Sequence, residues 1–229
     1  ERSETPQTKL HKGPAYNKIQ SHETEPGFED WPTYRHDSRR SGKASTNLSE
    51  NLSHKWKAQL KGDLTSPVVS GNRLFVASTN KHLLYALNAN TGKILWKFTA
   101  GGRIDSPPTI YKGRAIFGSA DGKVYCVRAS DGALVWRFQA APVDRRIISY
   151  GQLESAWPVH GTVLVENDSA YFTAGRSSFL DGGLYLYRLN AKTGKMISRR
   201  TINSRDPKTG EQPKNTISGV SMQNNSALP

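Results

Sequence analysis

The stretch Ala86-Leu87-Asn88-Ala89-Asn90-Thr91-Gly92-Lys93-Ile94-Leu95-Trp96 carries the strongest structural signal in this chain. It holds an apolar run, the turn signal Asn90-Thr91-Gly92 and a second run ending on an indole, the pattern of two antiparallel strands joined by a tight hairpin. Forty residues on, Cys126 to Trp136 repeats it: Tyr85 recurs as Tyr125, Gly92 as Gly132, Trp96 as Trp136, and upstream Ser66-Pro67 as Ser106-Pro107. Trp56 stands the same interval before Trp96. A fixed period of this size marks a repeat architecture.

Outward from that stretch the local signal is strand, four times per repeat. In the first repeat the runs are 66–70, 73–78, 82–88 and 93–99; in the second they are 107–111, 114–119, 123–129 and 133–139. Each is short, β-branched or aromatic, and bounded by Gly, Asn or Asp. No segment carries a 3.6-residue apolar stripe. Four strands per 40 residues predict an all-β fold, a β-propeller of four-stranded antiparallel blades. Blades are expected at about 65–100, 105–140 and 155–202, with the start of a fourth at 215–229. About three blades are thus present, part of a ring of seven or eight that other sequence or another chain completes. Lys55–Leu60 aligns with the outermost strand of the later repeats. Residues 1–30 read as a polar, poorly ordered extension.

The third repeat is longer by 22 residues between its turn glycines, Gly132 and Gly194. The surplus falls in the connection 141–156 and in the hairpin 175–182. Long additions to an economical repeat are where binding surfaces sit. In or beside them stand Arg145, Arg146, Glu154, Trp157, His160, Arg176, Ser178 and Asp181. Two readings fit. The additions overhang the funnel of the propeller and make an Arg-rich site for an anionic group, or the charges pair with one another to fix a long loop.

Composition removes several classes. No apolar stretch nears the roughly 18 residues that a membrane-spanning helix requires. One cysteine, Cys126, excludes an internal disulfide framework and a multi-cysteine zinc site. The net charge of +13 lies wholly beyond residue 54: residues 1–54 hold eight acidic and eight basic groups, residues 55–229 hold 11 and 24. The basic residues fall singly at turns and alternate strand positions rather than along one stripe, so no specific nucleic-acid binding is expected. Attraction to an anionic ligand or an acidic protein partner is. P-loop, dinucleotide-fold, zincin and EF-hand motifs are missing, and the carboxylates beyond residue 54 sit mostly in hairpin turns, so no catalytic or metal-ligating set is assigned.

Residues 86–96 resemble the tryptophan-docking motif of the pyrroloquinoline-quinone (PQQ) repeat. Asn88, Gly92 and Trp96 fit it; the second repeat keeps Gly132 and Trp136; the third keeps Gly194 but has Ser198 where the indole belongs. The lead-in Trp31-Pro32-Thr33-Tyr34-Arg35-His36-Asp37 is similar to that of quinoprotein-like propellers. The resemblance implies that these Trp and Gly residues are structural. It also implies one of two activities: dehydrogenases holding PQQ and calcium in the funnel, or cofactor-free propellers of outer-membrane assembly. Dehydrogenases of this family carry an adjacent Cys-Cys pair, which this chain lacks. The expectation is therefore a binding or scaffolding module without a cofactor, periplasmic or otherwise exported. The alternative is the N-terminal part of a PQQ-dependent quinoprotein dehydrogenase with calcium.

Overall fold

A computed structural model describes residues 9–19, 27, 29–44, 46, 50–206 and 208–211. A short strand, β1 (Leu10–Lys12), precedes three four-stranded antiparallel sheets. Blade 1 is β2 (Val68–Ser70), β3 (Arg73–Ser78), β4 (Leu83–Asn88) and β5 (Ile94–Thr99). Blade 2 is β6 (Thr109–Tyr111), β7 (Arg114–Ser119), β8 (Lys123–Arg128) and β9 (Leu134–Gln139). A two-stranded hairpin, β10 (Arg146–Ser149) with β11 (Gln152–Ser155), intervenes. Blade 3 is β12 (Leu164–Glu166), β13 (Ser169–Ala174), β14 (Leu184–Asn190) and β15 (Met196–Ile202). Within each blade the four strands pair in chain order, as a meander must when tight turns join neighbours. A single 3-10 turn, Thr79–Lys81, is the only helical element among the described residues. The expected fourth repeat, 215–229, lies outside the described residues.

The repeat is kept in detail. The third and fourth strands of each blade slip register at one equivalent place, between Ala86 and Leu87, Cys126 and Val127, and Arg188 and Leu189. Such a bulge sharpens the twist just ahead of the Thr-Gly or Asp-Gly turn. The core lies between blades rather than within one sheet. Phe98 packs edge-on against the stacked pair Phe117 and Tyr125, and Phe138 does so against Phe172 and Tyr187. Ring pairs in these geometries add about 0.5–1.5 kcal/mol to plain area burial.

Each indole seats on the next blade. Trp56 Nε1 donates to Ala89 O at 2.9 Å, Trp96 Nε1 to Ala129 O at 3.1 Å, and Trp136 Nε1 to Ala191 O at 3.2 Å. The rings lie directly over the turn glycine of that blade. A Cβ on Gly132 would stand 2.7 Å from Cε3 of Trp96, and the approach is equally close for Gly92 under Trp56. Lys55–Leu60, expected as an outer strand, joins no ladder although Trp56 takes its seat: no neighbouring strand lies beside it among the described residues.

The two segments ahead of residue 55 are held at opposite rims of the blades. Within the extension, where polar composition suggests little order, β1 pairs antiparallel with β9 as a fifth strand of blade 2. Leu10 reaches the Trp136–Gly194 contact, Ala15 is buried, and Tyr16 donates to Thr193 O at 3.3 Å. The lead-in runs beside the innermost strands instead: Trp31 bridges Val69, Ile110 N donates to Pro32 O at 2.7 Å, and Thr33 meets Thr109 at 2.8 Å. Asp30 accepts from Gly71 N at 2.8 Å and so caps the first hairpin of blade 1. A cavity of about 310 Å³ lies there between Asp30, Thr33, His36, Tyr111 and Val165.

Candidate functional site

Strand order puts the two additions of the third repeat at the same end of the blades, opposite the Thr-Gly turns. That end carries the crossover from β5 to β6 (100–108), the β7–β8 turn (120–122), and the additions themselves. Its backbone is tied together: Ala120 N donates to Arg103 O at 2.8 Å, Ser155 N to Ala120 O at 2.8 Å, and Gly175 N to Pro158 O at 3.0 Å.

On this frame five charged or titratable side chains converge. Glu154, on β11, is 1% exposed. Its Oε2 accepts from Arg176 Nη2 at 2.7 Å, and its Oε1 stands 2.7 Å from Arg103 Nη2. That second contact is an ion pair without hydrogen-bond alignment, so Oε1 has no hydrogen-bond donor. Arg103 also lies 3.5 Å from Asp105, whose other partner is His160 Nδ1 at 2.5 Å. Arg176 Nη1 donates to Ser149 Oγ at 3.3 Å, and the Tyr150 ring covers the Arg103 guanidinium at 4.6 Å. A carboxylate so deeply buried is tolerated only with charged partners. Two guanidiniums supply them here, each from a different blade connection.

A second group lies beside the first. Arg145 pairs with Asp181 and stacks over the Trp157 indole at 4.9 Å, while Trp157 Nε1 donates to Asp181 O at 2.9 Å. The two additions thus grip each other through Arg145–Asp181 and through Arg176, which holds both Glu154 and Ser149. Arg146 stays apart, half-exposed, with Asp144 at 3.2 Å. Ser178 is buried with its hydroxyl unpartnered, and its carbonyl accepts from Ser204 N at 3.1 Å.

The sequence pointed to Glu154, His160 and Arg176 and passed over Arg103, Asp105 and Tyr150. One signal was there. Where the second repeat has Arg103 and Asp105 ahead of Ser106-Pro107, the first has Asp63 and Thr65 ahead of Ser66-Pro67. A departure from an otherwise faithful repeat is a position released from blade packing. Cys126 is fully buried in β8, and burial pushes its thiol far up from the usual range, which makes it a small core residue.

The calcium of a quinoprotein dehydrogenase finds no fitting donor set in this cluster. Both carboxylates that a dication would need are already within 2.7–3.5 Å of the Arg103 guanidinium, which would repel it. No three His, Cys, Asp or Glu side chains converge elsewhere among the described residues.

Blades of four antiparallel strands on a 40-residue repeat, each seating an indole on the next, define a β-propeller of the PQQ-like, quinoprotein-like class. The chain belongs to the PQQ-repeat family whose model, described as outer membrane protein assembly factor BamB, matches residues 39–224. It is 34% identical over 94 residues to BamB of Yersinia pestis, covering 40% of this chain and 23% of that one. It is 25% identical over 188 residues to the dehydrogenase subunit of the quinone alcohol dehydrogenase of Komagataeibacter europaeus, covering 76% and 24%. Among solved structures, the quinohemoprotein alcohol dehydrogenase ADHIIG of Pseudomonas putida superposes with a TM-score of 0.65 at 19% identity, covering 86% of this chain and 30% of that one. The chain therefore spans about a quarter of the length of the curated relatives it matches. No helix among the described residues is long and apolar enough to cross a membrane.

Proposed function

We propose that this chain is part of an exported PQQ-like propeller that acts as a non-catalytic binding module in the periplasm, recognising an anionic group at the face built by its two additions. The carrying observation is the Arg103–Glu154–Arg176 cluster: buried charge that the two additions bring against the β5–β6 crossover. Asn88, Gly92, Trp96, Gly132, Trp136 and Gly194 serve as blade-to-blade docking positions, which leaves the insertions free to carry recognition. The match to the BamB family model supports a scaffold that engages a protein or an anionic ligand, with the ring completed by further sequence or another chain.

A second reading is the N-terminal part of a PQQ-dependent dehydrogenase. The similarity to quinone alcohol dehydrogenase subunits over three quarters of the chain favours it. Titration with PQQ and Ca²⁺, together with a dye-linked alcohol or sugar oxidation assay, separates the two. The binding-module reading expects neither saturable PQQ uptake nor turnover, and tight PQQ binding with turnover overturns it.

A further inference from the structure

We propose that Arg103 and Arg176 form a cradle for a carboxylate-bearing ligand, a cradle that this chain fills with its own Glu154. The inference rests on the reading of this face as an anion-recognition site and names the class of anion. A guanidinium offers its best grip as a fork, Nε–H and one Nη–H donating in parallel to the two oxygens of one carboxylate. Glu154 meets neither fork. It touches only Nη2 of Arg103 and Nη2 of Arg176, one oxygen to each, at 2.7 Å. Among the described residues, the Nε of both arginines is buried with no hydrogen-bond partner, and so is Oε1 of Glu154. Three unpaired polar atoms around one ion cluster are far from the near-complete satisfaction of buried polar groups in folded proteins.

Charge balance sets the class of ligand. Two guanidiniums face two carboxylates, Glu154 and Asp105, and His160 lies against the second. A monoanionic carboxylate that replaces Glu154 leaves that balance unchanged, whereas a phosphate dianion adds a buried negative charge. The means of exchange is also in place. Glu154 rides on the β10–β11 hairpin, which pairs with no other strand among the described residues. The outward side of that hairpin leaves Ile148, Tyr150 and Leu153 exposed. Beyond its ends, the hairpin is tied to blade 1 through His82–Gln152 and to blade 3 through Arg176. Lifting the hairpin withdraws Glu154 and the Tyr150 cover together and leaves both forks facing the opening.

The test is chemical rescue in the 229-residue chain. Glu154→Gln removes the internal carboxylate, and its melting temperature is measured against acetate, phosphate and chloride at constant ionic strength. The expected result is a lowered melting temperature that acetate restores saturably, with phosphate and chloride having little effect. The rescue is expected to vanish in Glu154→Gln/Arg176→Met, and rescue that survives there overturns the assignment. In the wild type, the Nε–H signals of Arg103 and Arg176 are expected to shift with acetate at concentrations tenfold or more above those needed by the variant. That titration carries the test if Glu154→Gln does not fold, and an absence of any shift then overturns the proposal. Phosphate acting as well as or better than acetate overturns the carboxylate assignment and leaves anion recognition standing. No response to either anion overturns both.

Discussion

Gly132→Ala tests whether the indole seats hold the blades together. Gly132 has φ +76°, and the methyl group of an alanine there would meet Trp96 at 2.7 Å (Cε3) and 2.9 Å (Cδ2). The ring cannot retreat freely, because Nε1 is hydrogen-bonded to Ala129 O and the tilted Phe75 ring lies against it, with centroids 5.9 Å apart. Gly71 is the control: φ is +55°, and a Cβ there meets nothing within 4 Å. Both substitutions carry the cost of an L-residue in the left-handed region, about 1–2 kcal/mol. Both also gain about 0.4–1 kcal/mol from a stiffer unfolded chain. These effects cancel in the comparison, and what remains is the overpacking against Trp96, about 1–3 kcal/mol. Urea unfolding followed by far-ultraviolet circular dichroism reads the difference, provided that the denaturant slopes agree. Trp96→Phe in the Gly132→Ala background should recover part of it. Equal destabilisation by Gly132→Ala and Gly71→Ala would mean that the indole exerts no pressure on the turn and does not hold the blades together.

Three further outcomes are expected. Arg176→Met leaves the buried Glu154 with one charged partner and should cost about 3 kcal/mol; Arg146→Ala breaks only a solvent-exposed pair and should change stability by less than about 1 kcal/mol in the same urea titration. Asp168 accepts from Tyr111, Lys192 and Lys112, and these bonds hold its carboxyl well below the ordinary 3.8. A depressed folded-state pKa stabilises above the unfolded value and is lost as pH falls through the folded one. The stability gap between wild type and Asp168→Asn should thus be full above about pH 4 and close in stronger acid; a gap constant from neutrality to pH 2 contradicts this. Gly13→Val drives a side chain into the backbone carbonyl of Leu134 and should detach β1. Hydrogen exchange at the Gln139 amide, which donates to Lys9 O at 2.7 Å, should then speed up about tenfold while the β7–β8 amides stay protected.

The lengths and order of the blade strands were legible because period-2 alternation and turn chemistry act over fewer than ten residues. The runs read at 73–78 and 114–119 are β3 and β7 to the residue. The 40-residue interval placed the glycines and tryptophans of the seats as well. Legibility failed where the outcome depends on what lies alongside. Blade 3, expected from about residue 155, has as its innermost strand only Leu164–Glu166, because the preceding residues serve the insertion: Val159 bonds to Ser119 and His160 to Asp105. Residues 146–155, read as connection, pair as a hairpin once Arg176 and His82 anchor its two sides.

The candidate site divides the same way. Composition of the two insertions singled out Glu154, His160 and Arg176, since surplus charge in surplus sequence stands out. That Arg103 and Asp105, some fifty residues earlier, complete the cluster was fixed only by the packing of one blade against the next. Local alternation and fixed spacing are enough to specify a repeating all-β chain, its turns and the glycines and tryptophans that meet between blades. Which charges share a buried space follows only from the packing of the blades, because two guanidiniums and a carboxylate meet only when three separate connections are brought to the same end of the sheets.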